Sequence, residues 1–130
     1  MGLVAENCVT LLSTTTVDLT DTGATTLYTV PTGKRFVPTQ VNVRCGNASS
    51  ETAVVTFGRS TALTDFLGSQ TMTYLAATYD TVQCLPIPAA APVKTKSYAA
   101  GIIFQINVGT ADVDGSTDAI VDLFGYLYSV

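Results

Sequence analysis

From Lys34 to Cys45 apolar and polar residues alternate with a period of two. Val37, Thr39, Val41, Val43 and Cys45 share one face; Phe36, Pro38, Gln40, Asn42 and Arg44 share the other. Alternation of this kind marks an antiparallel strand with one buried face. A second short run, Leu27 to Val30, leads into it through Pro31-Thr32-Gly33. Pro31 presets φ for the second position of a β-turn, and glycine is favoured where Gly33 follows, so 27–37 reads as strand, tight turn, strand. The same reading places strands at 8–19, 24–30, 35–45, 53–58, 71–76, 81–85, 101–108 and 118–128. Asp21-Thr22-Gly23, Gly46 to Ser50, and Asp112 to Asp118 supply further turn formers between them. Short strands spaced by turns predict an all-β fold, an antiparallel β-sandwich that is jelly-roll-like, with residues 1–130 as a single domain. One helix is expected at 61–67, capped by Ser60 or Thr61, with Asp65 early and Gly68 at its end.

Two segments depart from the simple alternation. In Leu85 to Pro92 three prolines remove three backbone donors, which excludes a central strand. This segment reads as an extended surface connection or arm, and its apolar content predicts that something packs on it. In 118–128, Val121, Leu123 and Leu127 fall on one face. Ile120, Phe124, Tyr126 and Tyr128 fall on the other, interrupted only by Asp122. A sandwich strand needs one apolar face, so the aromatic one predicts a contact surface. The competing reading is a strand buried on both sides. The candidate interface residues are therefore Ile87, Pro88, Phe124, Tyr126 and Tyr128.

The low charge has two readings, a surface covered in an assembly or a neutral surface of threonine and serine. Charged residues make up 12% of the 130, against about 25% in typical soluble domains. Mean hydropathy is positive, yet no apolar run reaches the roughly 18 residues of a membrane span, so no membrane association is expected. The net charge of −4 argues against nucleic acid as a partner, because phosphate contacts need clustered Lys and Arg. The first residues lack a basic segment followed by an apolar core, so no signal peptide is expected, and Glu6 breaks a myristoylation pattern. Cys8, Cys45 and Cys84 are too widely spaced for a zinc site or a disulfide framework and read as small buried thiols.

Catalytic chemistry is sparse. The chain has no histidine, which removes the commonest general base and metal ligand. It holds no phosphate-binding glycine loop and no nucleophile elbow. No catalytic, cofactor or metal site is assigned, and the chain is read as a non-enzyme. Asp112-Val113-Asp114-Gly115-Ser116-Thr117-Asp118 could wrap a calcium ion, but its glycine and twelfth position do not fit an EF-hand, so a polar hairpin loop is preferred. Asn47-Ala48-Ser49 is a formal glycosylation sequon in a loop. Lys34-Arg35 could grip an acidic partner or guard a solvated strand edge.

Four stretches together resemble small β-structured virion proteins of tailed bacteriophages and prophages. They are Leu27 to Pro38, Val55-Thr56-Phe57-Gly58, Ala100 to Val108, and Asp118 to Leu127. They occur in the same order and span most of the chain, although the Pro-rich 85–92 segment is not part of the pattern. The resemblance implies a head decoration or cement protein located in the virion and assembled in the bacterial host cytoplasm. Its partners would be the major capsid protein or other virion subunits, and it would be a homo-oligomer, trimer or dimer. The alternative is a tail, baseplate or fibre component or a carbohydrate-binding β-sandwich module, for which Tyr74, Tyr79 and Tyr98 would serve as platforms in a chain without tryptophan.

Overall fold

The computed structural model describes residues 7–86 and 95–130. Within them the chain forms eight strands and no helix: β1 (Thr10–Val17), β2 (Gly23–Thr29), β3 (Lys34–Arg44), β4 (Val54–Arg59), β5 (Ala62–Thr71), β6 (Thr81–Cys84), β7 (Ile103–Thr110) and β8 (Ala119–Ser129). They assemble into two four-stranded antiparallel sheets, ordered β1-β8-β3-β6 and β2-β7-β4-β5. The predicted β-sandwich is what is found.

The pairing is nested. β1 lies with β8, β2 with β7, β3 with β6 and β4 with β5, as in one long ribbon folded back at β4–β5. Rolling that ribbon adds the β3–β8 and β4–β7 pairs. Every connection except β4–β5 therefore crosses from one sheet to the other. This corrects two sequence readings. The turn at 31–33 is a corner between sheets rather than a hairpin. Lys34 N–H donates to the Pro31 carbonyl, and Gly33 sits at φ +77°, the third position of the turn rather than its exit. The 112–118 segment likewise joins β7 to β8 across the sandwich. β6 covers only Val41–Arg44 of β3, so the start of the strand at Lys34 and Arg35 lies beyond it, beside the single bridge from Phe36 to Tyr98.

All eight strands contribute to one buried cluster, with Phe36, Phe57, Phe104, Leu19, Leu75 and Ile106 fully enclosed. Phe104 centres its aromatic part, with Phe36, Phe66 and Tyr98 rings 5.6–5.8 Å away. Phe36 belongs to this cluster together with Val41 and Val43, although strict alternation puts them on opposite faces. A bulge between Pro38 and Gln40 makes Thr39 the extra residue and reverses the facing of everything before it. A second bulge, between Leu11 and Ser13, lies opposite Leu123–Phe124 of β8, one residue along from the Phe124–Gly125 stretch that faces the first. Gly125 meets this crowding: a Cβ there would stand 2.4 Å from the Val37 carbonyl oxygen.

The expected helix at 61–67 is strand instead. Arg59 and Ala62 pair across a tight turn, and the Asp65 side chain is engaged by Arg59 and Tyr98. Its carboxylate accepts the Arg59 amide, pairs with Arg59 Nε at 3.1 Å, and accepts the Tyr98 hydroxyl at 2.7 Å. These contacts override the capping pattern. The strand expected at 71–76 ends at Thr71, and Met72 to Leu75 form a turn closed by Leu75 N–H to the Met72 carbonyl.

Candidate interaction surface

The last strand alternates without a fault. Ala119, Val121, Leu123, Gly125 and Leu127 are buried against the opposite sheet, while Ile120, Asp122, Phe124, Tyr126 and Tyr128 are half-buried on the outer face. The outer face is thus not a second core, and its aromatic stripe reaches solvent. Tyr126 and Tyr128 rings stand 6.5 Å apart. Val37 pairs with Tyr126 and is buried although it lies outside the core cluster. Tyr128 shares a hydrogen bond of 3.0 Å between its hydroxyl and Ser97 Oγ, and Arg35 fixes Ser97 in turn through Nε to Oγ and a second bond to its carbonyl. Leu11, which pairs with Phe124 from β1, extends the stripe and is 49% exposed.

Sequence reasoning missed Leu11. Its signal was present: Leu11-Leu12 in a strand places one leucine on each face, and Leu12 takes the core. The other half of this outer face is polar, with Thr14 donating to Asp122 at 2.7 Å and Gln83 bonding Gln40 at 2.8 Å. The second sheet offers no comparable stripe. Its outer positions Thr26, Gln105, Thr56 and Asn107 are polar. Ile87 and Pro88, the other candidate interface residues, lie outside the described residues.

The loops at 46–52 and 111–118 are knitted together by polar contacts. Asp118 Oδ1 accepts the Asn47 amide at 2.7 Å, and Asp112 Oδ2 accepts the Thr52 amide at 3.2 Å. Asn47 of the sequon bonds Thr117 through both ends of its amide, and buried Ser50 accepts the Ser116 amide at 2.7 Å. The carboxylates of Asp112 and Asp118 thus act as acceptors for backbone donors. No three metal-ligating side chains converge among the described residues. A groove of ≈ 370 Å³ opens between the free edges of β5 and β6, lined by Leu67, Met72, Tyr74, Val82 and Cys84 among others, with no ion pair in it.

Burial sets the ionisation of the thiols and phenols. Desolvation pushes the Cys84 thiol up to about 11 and raises that of Cys45 as well. Both are buried, whereas Cys8, expected to be buried, is exposed. Tyr98 is raised furthest, first by burial and then by its bond to the Asp65 carboxylate. That placement removes Tyr98 as a sugar platform: it is a core residue. Tyr74 and Tyr79 are 82% and 75% exposed.

No protein-family model and no curated protein matches the chain. Two solved structures share its fold. One is a chain of the acidic stable capsid structure of Helicobacter pylori bacteriophage KHP30, with TM-score 0.59 and 16% identity over 97% of this chain and 95% of that one. The other is a chain of the cyanophage Pam1 capsid asymmetric unit, with TM-score 0.53 and 16% identity over 97% of this chain and 93% of that one.

Proposed function

We propose that this chain is a non-enzymatic structural protein of a phage virion that docks on the head shell as a decoration or cement subunit. The observation that carries this reading is the full-length match of its fold to chains from two phage capsids. The nested strand order, with crossings between sheets at all connections but one, supports the jelly-roll assignment. One core fed by all eight strands supports a single domain over residues 1–130. The docking surface is the outer face of the β1-β8-β3-β6 sheet, through Phe124, Tyr126 and Tyr128 with Leu11 beside them. Aromatic residues of this kind anchor interface centres, and truncating one costs about 2 kcal/mol or more. That is more than tenfold in affinity.

The test is occupancy on particles. Phe124→Ala and Tyr126→Ala are compared with Gln105→Ala on the opposite outer face. Copies per particle are counted by quantitative mass spectrometry after purification of the virions. The aromatic variants should lose occupancy and the control should keep it. Wild-type occupancy by aromatic variants that still melt cooperatively would refute the docking surface. Absence of the wild-type chain from purified particles would refute the virion reading itself.

A further inference from the structure

The two ends of the sandwich carry opposite charge. At one end the β1–β2, β3–β4, β5–β6 and β7–β8 loops are bonded directly to one another. Leu19 N–H donates to the Ser116 carbonyl, Asp112 N–H to the Leu19 carbonyl, and Ser50 N–H to the Leu75 carbonyl. These loops hold Asp18, Asp21, Glu51, Asp80, Asp112, Asp114 and Asp118, seven of the ten carboxylates of the chain. Arg44, the last residue of β3, is the cation near them among the described residues. Exposed Tyr74, Tyr79 and Val113 project from the same loops. Tyr79 does so at φ +70°, where a bulky side chain is unusual.

At the other end a cleft of ≈ 380 Å³ is lined by Arg35, Arg59, Asp65, Lys96, Ser97 and Tyr98 among others. Three of the six cations of the chain meet there, against one carboxylate. Asp65 is already engaged by Arg59 and Tyr98. Arg35 reaches only Ser97, and neither it nor Lys96 has a carboxylate partner among the described residues. β4 runs from one end to the other, and the steps from Glu51 to Arg59 set these two charges about 26 Å apart at roughly 3.3 Å per residue. That is several times the Debye length of about 8 Å at physiological salt. The poles therefore do not cancel within one molecule, and each presents its own sign to a neighbour.

We infer that the basic cleft receives the acidic loop end of a second copy of this chain, in a head-to-tail contact. Both halves of the complementarity lie on the same molecule. Exposed carboxylates of Glu51 and Asp114 meet Arg59 and Lys96, and the projecting tyrosines offer aromatic faces to the guanidinium groups. A head-to-tail contact is heterologous, so it cannot close a two-fold dimer; it builds a ring of three or more, or an open chain. The inference concerns self-association of the isolated protein and stands apart from the virion reading, which the particle experiment tests.

Sedimentation velocity of the purified chain at 50 mM and 500 mM NaCl decides it. Oligomers larger than a dimer are expected at the lower salt and their dissociation at the higher. A basic-end variant, Arg59→Gln with Lys96→Gln, and an acidic-end variant, Glu51→Lys with Asp114→Lys, should each weaken association by about tenfold or more. Both pairs are on exposed side chains, and thermal melts confirm that each variant folds. Each variant keeps one intact end, so an equimolar mixture should give a heterodimer and nothing larger. A monomeric wild type at low salt, salt-insensitive association, or a mixture no different from either variant alone would each overturn the contact. Loss of particle binding by the basic-end variant with self-association unchanged would assign the cleft to another acidic partner and overturn it too.

Discussion

Gly125→Ala tests the geometry that sets the aromatic stripe. Gly125 pairs with Thr10 on one side and with Pro38 on the other, next to both bulges. A Cβ at this position would lie 2.4 Å from the Val37 carbonyl oxygen, 2.7 Å from Phe36 Cε1 and 3.1 Å from Pro38 Cα. Favourable contacts begin near 3.5 Å. Two of the three obstacles are backbone atoms of β3, which cannot rotate aside, and the third is a fully buried ring. Relief requires β3 to shift while its ladder to β8 holds. Overpacking of this kind costs about 1–3 kcal/mol, and a backbone obstacle puts the cost near the upper end. For 130 residues, unfolding entropy is about 270 cal/mol/K, so a loss of about 3 kcal/mol lowers Tm by about 11 °C. Gly68→Ala is the control, because nothing lies within 4 Å of a Cβ there. It should be neutral or raise stability by up to about 1 kcal/mol through the unfolded chain. Differential scanning calorimetry of the two variants measures both. A Gly125→Ala protein that melts within about 2 °C of wild type would refute the close approach of β3 to β8.

Two further outcomes follow from buried polar groups. Thr56 is buried and its hydroxyl has no hydrogen-bond partner among the described residues, so Thr56→Val removes an unsatisfied group at equal volume and should stabilise by about 1 kcal/mol; a lower midpoint in chemical denaturation would contradict this. Burial raises the Cys84 thiol from 9.0 to about 11, so folding favours its neutral form. That contribution is complete below pH 9.0 and disappears as pH rises through about 11. Tm should therefore fall over this window, and Cys84→Val should lessen the fall below 10.0, where Cys45 also contributes but Tyr28 and Tyr98 do not yet; identical slopes in the two proteins would show that the Cys84 thiol is not desolvated.

Local pattern is enough to place the strands and to say what faces outward on the last of them. Period-two patterning located seven of the eight strands in 8–45, 53–58, 81–85 and 101–128, because side-chain alternation is a local property of extended chain. It also separated Val121, Leu123 and Leu127 from Phe124, Tyr126 and Tyr128, since β8 runs without a bulge of its own. The rest depends on partners distant in the chain. Whether Pro31-Thr32-Gly33 closes a hairpin or turns a corner depends on the partners of β2 and β3, which are β7 and β8 near the far end of the chain. Phe36 enters the core because a bulge at Thr39 changes register, and a bulge is set by the facing strand rather than by the residue that forms it. Asp65 carries a helix-capping pattern but is taken by Tyr98, 33 residues away. The same holds for the charge poles: their members are scattered along the sequence, and the rolled ribbon gathers alternate loops at opposite ends of the sandwich. Local pattern specifies which face of a strand is buried; which strand covers it, and which loops become neighbours, is fixed by long-range pairing that no local window contains.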